Sequence, residues 1–132
     1  MDMNHHRSAN LHKTPSIYIE DDPVAFEVVR SFLKDICDID WVANSNEALK
    51  KINKKKYELI LMDIHLPVGL SGIELTKILR DKPEYIEVPI IAITAYAMAR
   101  EKEEILKNGC NDYVSKPFTK KILLETIQKY LG

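Results

Sequence analysis

One carboxylate, Asp63, stands at the end of an apolar run and could act as a nucleophile or as a metal ligand. The run Leu-Ile-Leu-Met at 59–62 precedes it, and Pro67 stops the pattern four residues later. A short continuous apolar run bounded by a turn signal predicts a strand that is buried on both faces, as in a parallel sheet. Asp63 is therefore expected at the carboxyl end of a strand, the edge at which open α/β sheets bind their ligands.

Three other predicted strands also end in polar side chains, which comprise a carboxylate pair, a hydroxyl and an ammonium group. Glu20 and Asp21 follow the run at 16–19, Thr94 ends the run at 88–94, and Lys116 follows the run at 112–115. If the strand order is 2-1-3-4-5, the first and third strands are neighbours, and Glu20 and Asp21 share a crevice with Asp63. The hydroxyl and the ammonium group are then expected at the same edge.

Three carboxylates in one small crevice repel one another unless a divalent cation neutralises them. Hard oxygen ligands without an accompanying histidine or cysteine cluster favour Mg²⁺ over Zn²⁺. A cation, a lysine and a hydroxyl around one carboxylate provide the charge neutralisation and positioning that phosphoryl transfer to that carboxylate requires. The residue types thus predict Asp63 as a phosphoryl-accepting nucleophile. The sequence has neither a glycine-rich nucleotide loop nor a Ser/His/Asp order typical of acyl transfer.

The elements that must position these groups follow a strict strand-helix alternation. Five predicted strands alternate with five predicted helices, which implies an α/β fold with a five-stranded parallel sheet and helices on both faces. The second strand is predicted at 38–43 and ends without a chemically active side chain. The fourth helix, at about 98–108, has few large apolar residues and is expected to be the most lightly anchored.

Length and composition bound the class of protein. With 132 residues, the chain is expected to form one domain at 15–132, preceded by a disordered tail at 1–14 that has few apolar side chains. A net charge of −1 gives no general attraction to nucleic acid or to a membrane surface. The apolar runs are too short to span a membrane, and the isolated Cys37 and Cys110 fit a reducing compartment. We therefore expect a cytoplasmic protein.

Four motifs, in order and spacing, resemble the receiver domain of two-component response regulators over essentially all of 15–132. They are Ile-Glu-Asp-Asp-Pro at 19–23, Leu-Met-Asp-Ile-His-Leu-Pro at 61–67, Ile-Thr-Ala-Tyr-Ala at 93–97 and Lys-Pro-Phe at 116–118. The resemblance implies a flavodoxin-like doubly wound (βα)5 fold with sheet order 2-1-3-4-5. It also implies that Mg²⁺ is the cofactor, and that the protein is a signalling switch rather than a conventional enzyme.

The resemblance assigns a role to each matching residue. Asp63 matches the phospho-acceptor, and Asp21 and Glu20 match the acidic pair that holds Mg²⁺, Asp21 directly and Glu20 through water. The remaining assignments concern the metal, the phosphoryl group and the switch. They are His65 as a metal ligand through its backbone carbonyl, Thr94 as the switch hydroxyl, Tyr113 as the aromatic side chain that follows it, and Lys116 as the phosphoryl clamp, with the Lys116-Pro117 bond cis.

Two features depart from the usual pattern or vary within it. The loop at 67–72 is one residue longer than is usual in the family. His65 and Tyr96, two residues after Asp63 and Thr94, occupy positions that tune dephosphorylation in the family. We expect Tyr96 to shield the acyl phosphate from water; the alternative is that Tyr96 points to solvent and has no effect.

The resemblance implies a phosphoryl donor that is a histidine kinase or a phosphotransfer protein. Because no second domain follows Gly132 in this sequence, we expect signalling through protein contacts, including possible phosphorylation-dependent homodimerisation, and no direct contact with nucleic acid or membrane. A stand-alone regulator, a phosphorelay shuttle and a receiver from a hybrid kinase all stay open. Two other functions are a pseudo-receiver that binds proteins without being phosphorylated and a metal-dependent phosphatase, although the sequence offers no substrate pocket for the latter.

Overall fold

The computed structural model describes residues 12–95 and 98–131. Its strands are β1 (Thr14–Ile19), β2 (Cys37–Val42), β3 (Leu59–Asp63), β4 (Ile90–Thr94) and β5 (Asp112–Ser115). Its α-helices are α1 (Pro23–Leu33), α2 (Ser45–Lys54), α3 (Gly72–Arg80), α4 (Ala99–Lys107) and α5 (Lys120–Leu131), and a 3-10 helix spans Pro83–Tyr85. No helix in these two ranges is long and apolar enough to cross a membrane.

The strands form one parallel sheet in the order β2-β1-β3-β4-β5. The predicted flavodoxin-like α/β fold and its strand order are therefore confirmed. Ser16 of β1 pairs with Leu59 of β3, and Asp63 pairs with Ile93 of β4. Because β1 and β3 are neighbours although they are not consecutive in the chain, the side chains that follow them face one crevice.

Two apolar layers cover the sheet because every residue of β3 is buried and successive side chains point to opposite faces. Ile60 and Met62 belong to the layer that packs under α2, α3 and α4. Leu59 and Leu61 belong to the layer under α1 and α5. Asp63 therefore ends a strand whose position is fixed from both sides.

The helix α4 is the least buried of the covering helices, as its sequence predicted. Of its nine residues, all of which the structure describes, Ile105 alone is buried. The Nζ atom of Lys102 lies 5.1 Å from the centre of the Tyr113 ring, which adds a cation-π contact to β5. Helix α4 is thus attached to the sheet by one apolar side chain and a few polar contacts.

One element boundary differs from the sequence prediction. β1 begins at Thr14, within the predicted tail, because the Thr14 amide donates to the Ile36 carbonyl at 3.0 Å and Thr14 pairs with Cys37 of β2. α1 begins at Pro23, and the Asp22 side chain caps the helix by accepting a hydrogen bond from the Val24 amide at 2.9 Å. The predicted tail at 1–14 otherwise lies outside the described residues, apart from 12 and 13.

The amino end of α3 lies directly against the backbone of Asp63. Ser71 and Glu74 form the predicted capping box, and the Gly72 amide donates to the Ile64 carbonyl at 3.0 Å. A Cβ atom on Gly72 would lie 2.8 Å from the Ile64 Cα atom and would overlap the Asp63 carbonyl oxygen. Only glycine permits this close approach.

We expect Gly72→Ala to lower the free energy of unfolding by about 2 kcal/mol, because backbone atoms of β3 would have to move to admit the methyl group. The measurement is urea unfolding of both proteins at pH 7 in EDTA. The control is Ala99→Gly, which removes one methyl group at the exposed start of α4. We expect it to lower the free energy of unfolding by no more than about 1 kcal/mol. Equal stabilities of Gly72→Ala and the wild type would contradict the close-packing argument.

Candidate functional site

The site is a cluster of three carboxylates at the crevice between β1 and β3. Oxygen atoms of Glu20, Asp21 and Asp63 all lie within 4.8 Å of one another. Glu20 and Asp63 are buried, with exposed fractions of 1% and 5%, whereas Asp21 is exposed. The structure therefore brings together the three carboxylates that the sequence predicted as neighbours, two of them out of solvent and one at the mouth.

Lys116 places its ammonium group between the two buried carboxylates. Its Nζ atom lies 2.8 Å from Glu20 Oε1 and 3.9 Å from Asp63 Oδ2. The residue follows β5, and its peptide bond to Pro117 is cis, as the resemblance implied. Lys116 thus stands where it can neutralise Glu20 and also reach a group attached to Asp63.

Glu20 is held by donors from several directions. Its carboxylate accepts from the Tyr18 hydroxyl at 2.9 Å, from Lys116, and from the Asp22 amide at 3.1 Å. Its backbone carbonyl accepts from the Trp41 indole at 2.6 Å. Tyr18 and Trp41 were not among the residues predicted for the site, and the apolar appearance of both in the sequence gave no sign of these contacts. Both oxygens of Glu20 are engaged by donors, whereas Asp21 is exposed.

Burial and mutual repulsion set the protonation of these groups. Burial, followed by the charge of Glu20, raises the pKa of Asp63 to about 6. Burial also raises the pKa of Glu20, but the hydrogen bonds from Lys116, the Asp22 amide and Tyr18 lower it by more, so the pKa of Glu20 lies below its usual value. For Lys116, the loss of solvation lowers the pKa, but the bond to Glu20 and the charge of Asp63 outweigh it and leave the pKa raised.

The donor set fits a hard divalent cation. Three carboxylates in close proximity supply oxygen ligands only, and the exposure of Asp21 leaves room for the water molecules that Mg²⁺ retains. Loss of solvation, followed by the neighbouring Glu20, raises the pKa of Asp21. The three carboxylates therefore fit a divalent cation such as Mg²⁺.

The hydroxyl of Thr94, at the end of β4, is buried and bonded to a residue that the sequence analysis did not single out. Thr94 Oγ1 donates to Glu101 Oε1 at 2.6 Å, and the His65 ring nitrogen Nε2 lies 2.9 Å from Glu101 Oε2. The His65 amide donates to Asp63 Oδ1 at 3.0 Å. Glu101 thus connects the first turn of α4 to the loops that follow β3 and β4.

Of the two aromatic residues expected near the site, one can be placed. Tyr113 is half-buried on β5 and packs against the apolar layer under α2, α3 and α4. Tyr96 lies outside the described residues, so its expected shielding role stays a prediction.

A family model, the response regulator receiver domain, matches residues 17–128 of this chain. The chain belongs to this family. The match spans all five strands except the first residues of β1, and it includes each of the acidic, hydroxyl and lysine positions described above. The sequence-based recognition of a receiver domain is confirmed.

Related proteins include response regulators from Brucella species. The chain is 46% identical to the polar-differentiation response regulator DivK of Brucella anthropi over 89 residues. The aligned segment covers 67% of this chain and 72% of DivK. The same regulator from Brucella ovis is 46% identical over 86 residues, or 65% of this chain and 69% of that protein.

Solved structures of receiver domains superpose on most of the chain. The receiver domain of a sensor histidine kinase from Pseudomonas aeruginosa, with a magnesium ion coordinated in its active-site cleft, gives a TM-score of 0.82 at 34% identity and covers 92% of this chain and 99% of that one. A chemotaxis response regulator of Vibrio cholerae gives a TM-score of 0.84 at 27% identity, with coverage of 90% and 99%.

We expect the stability of the metal-free receiver to depend on pH through Asp63. The folded-state pKa of about 6 is above the ordinary value of 3.8, so the protonated form is favoured by folding and stability is lost as pH rises through 6. Asp63→Asn removes this loss. The free energy of unfolding of the variant should exceed that of the wild type by about 2 to 3 kcal/mol at pH 8 and by almost nothing near pH 4. The measurement is urea unfolding in EDTA across this range; a difference independent of pH would contradict the raised pKa.

Proposed function

We propose that this receiver is a phosphorylation-dependent signalling switch that accepts a phosphoryl group on Asp63. The observation that carries the proposal is the placement of one buried carboxylate beside an ammonium group and two further carboxylates, at the carboxyl edge of the sheet. The proposed donor is a histidine kinase or a phosphotransfer protein. A donor of this kind supplies a phosphoryl group bonded to an imidazole nitrogen.

In the proposed step, an oxygen of Asp63 attacks phosphorus and the bond between phosphorus and the donor nitrogen breaks, its electron pair leaving with the donor. Bound Mg²⁺ supplies charge neutralisation for the phosphoryl oxygens. The Nζ atom of Lys116 lies 3.9 Å from Asp63 Oδ2, so a short movement would bring it into contact with a phosphoryl oxygen on Asp63. The His65 amide keeps the second oxygen of Asp63 in place, which orients the attacking atom.

An apolar groove beside the site supports a protein as the donor. It has a volume of about 490 Å³ and is open to solvent between α1 and the loop after β5. Its lining comprises Ala25, Val28, Ala95, Pro117 and Phe118, together with Tyr18 and Lys116 of the site. Val28 is 41% exposed and Val24 on the same helix is 68% exposed. A partner that buries these side chains would bring its phosphoryl group to Asp63.

A pseudo-receiver, which binds proteins without a phosphorylation cycle, is the alternative function. A substitution in the acidic pair, in the acceptor or in the lysine would favour it. Glu20, Asp21, Asp63 and Lys116 are all present. Oxygen atoms of the three carboxylates lie within 4.8 Å of one another, and the Lys116 ammonium group lies 2.8 Å from Glu20 and 3.9 Å from Asp63. The phosphorylated switch is therefore the better supported of the two.

The test uses acetyl phosphate as the phosphoryl donor. The full chain is incubated with acetyl phosphate and Mg²⁺, and intact mass spectrometry is expected to show one added HPO₃ group, with acetate as the leaving product. Omission of Mg²⁺ and addition of EDTA should suppress the adduct. An unchanged mass in the presence of Mg²⁺ would favour the pseudo-receiver.

The same sample tests the proposed phosphorylation-dependent homodimer. Size-exclusion chromatography of the phosphorylated and untreated proteins, at matched concentrations, should show a shift to larger size only after phosphorylation. An identical elution in both states would limit the output to contacts with other proteins.

A further inference from the structure

Glu101 occupies an unusual position between the two residues that flank the site. Its two carboxylate oxygens are used by different partners, Oε1 by the Thr94 hydroxyl at 2.6 Å and Oε2 by His65 Nε2 at 2.9 Å. The side chain of Glu101 is 19% exposed and Thr94 is buried, so the bond to Thr94 is largely shielded from water, whereas His65 is 44% exposed and its bond to Glu101 lies at the surface. Glu101 lies in the first turn of α4, whose N-cap residue is Met98. Its two bonds reach from the helix to the end of β4 and to the loop after β3.

The Thr94 hydroxyl has one proton, and in this structure that proton is donated to Glu101. A hydroxyl that donates to Glu101 cannot at the same time donate to a phosphoryl oxygen on Asp63. The hydrogen bond to Glu101 must therefore break before Thr94 can bind the phosphoryl group. Because the acceptor is a carboxylate, this bond is of the stronger, charge-assisted kind.

We propose that Glu101 is a positioning residue that holds Thr94 in the unphosphorylated arrangement and sets the affinity of the site for a phosphoryl group. This inference rests on the proposed function, since it concerns the same Asp63 site. Glu101 acts through Thr94 and does not contact the reacting atoms. The phosphoryl group competes with Glu101 for one hydroxyl proton, and the outcome of that competition determines how firmly the first turn of α4 is attached.

Few described contacts attach α4 to the sheet. Apart from the two bonds of Glu101, the described contacts of this helix with the sheet are the buried Ile105 and the Lys102 contact with Tyr113. Transfer of the Thr94 proton to a phosphoryl oxygen removes one of these few contacts. The released end of α4 is the end nearest the site, so the change begins where the charge is added.

The test measures binding of beryllofluoride, a phosphoryl analogue, in the presence of Mg²⁺. Trp41 is the single tryptophan of the chain and donates to the backbone carbonyl of Glu20, so its fluorescence reports on occupancy of the site. We expect Glu101→Ala to bind the analogue about 10-fold more tightly than the wild type, because the competing acceptor for Thr94 is gone. Glu101→Gln retains an acceptor oxygen without the charge and should fall between the two.

Two controls separate this role from a general effect of charge or folding. Glu103→Ala removes the same charge from an exposed position of the same helix and should leave the affinity within about 2-fold of the wild type. In a Thr94→Val background, which keeps the shape and lacks the hydroxyl, Glu101→Ala should no longer increase affinity. A role confined to helix stability would give the same effect in both backgrounds.

The outcomes are distinct. Equal or weaker binding by Glu101→Ala, with a wild type that binds the analogue and forms the acetyl phosphate adduct, would overturn the role of Glu101 and leave the proposed function intact. A gain that persists in the Thr94→Val background would also overturn it. A wild type that neither binds the analogue nor forms the adduct would overturn the proposed function, and the role of Glu101 with it.

Discussion

Asp63→Asn is expected to abolish the phosphoryl adduct. The amide nitrogen of asparagine is not a nucleophile, and the amide oxygen is a far weaker one than a carboxylate oxygen, so the yield with acetyl phosphate and Mg²⁺ should fall by at least about 100-fold. The fold should persist, because the asparagine oxygen can still accept the hydrogen bond that the His65 amide donates at 3.0 Å. Intact mass spectrometry measures the yield, and urea unfolding verifies the fold.

Asp81→Asn is the matched control for this variant. It makes the same chemical change at an exposed residue that ends α3, remote from the acidic cluster, and it should be phosphorylated as the wild type is. Peptide mapping of the wild-type adduct should locate the phosphoryl group on the peptide that contains Asp63. A full yield of adduct from Asp63→Asn, or an adduct mapped to another residue, would show that a different group is the acceptor.

Lys116→Met is expected to slow phosphorylation and to destabilise the metal-free protein. Loss of a charged hydrogen-bond donor to the phosphoryl group should reduce the rate with acetyl phosphate by about 10- to 100-fold. It also leaves Glu20, which is 1% exposed, beside Asp63 without the ammonium group that lies 2.8 Å away. Removing one partner of such a pair costs about 2 to 3 kcal/mol here, since Lys116 itself is partly exposed.

The loss of stability expected for Lys116→Met depends on pH and on Mg²⁺. Without the lysine, each buried carboxylate raises the pKa of the other above its value in the unfolded chain, so stability is retained at low pH and lost as pH rises. The loss should begin below 6, the present pKa of Asp63, and should continue above it. Added Mg²⁺ should restore much of the stability. Lys121→Met, a change at an exposed position of α5, should show neither the pH-dependent loss of stability nor the response to Mg²⁺. A loss of stability in Lys116→Met that is equal at pH 4.5 and pH 8 would contradict this explanation.

The fold could be predicted from sequence because its signals are local and mutually consistent. The apolar run that ends at Asp63 and the capping box at Ser71 and Glu74 both describe their own short segments, and the structure confirms both. The parallel direction of the strands followed from the alternation of strands with helices, and the strand order 2-1-3-4-5 followed from the resemblance to receiver domains. The main acidic and basic groups could therefore be predicted at one edge of the sheet without any three-dimensional information.

The parts that could not be predicted depend on distant residues meeting. Glu101 lies in a charged stretch of α4, and nothing in its neighbourhood marks it as different from Glu103. Its proposed role arises because α4 places it against Thr94, at the end of β4, and His65, in the loop after β3. Arg80 is a second example, since its guanidinium donates to the carbonyl groups of Gly109 and Val88 and to the Asn111 side chain. Such contacts are set by the packing of whole elements and leave no local pattern.

The close approach of Gly72 to the Asp63 backbone has a mechanical consequence. On the α3 side, Asp63 has no free space, because the helix begins against its carbonyl group and the Gly72 amide bonds to the next residue. On the α4 side, few contacts resist displacement. If Asp63 is phosphorylated as proposed, we therefore expect the displacement on the α4 side, with α3 held in place. We also expect a variant with a loosened α3 to give a weaker displacement of α4 at the same level of phosphorylation.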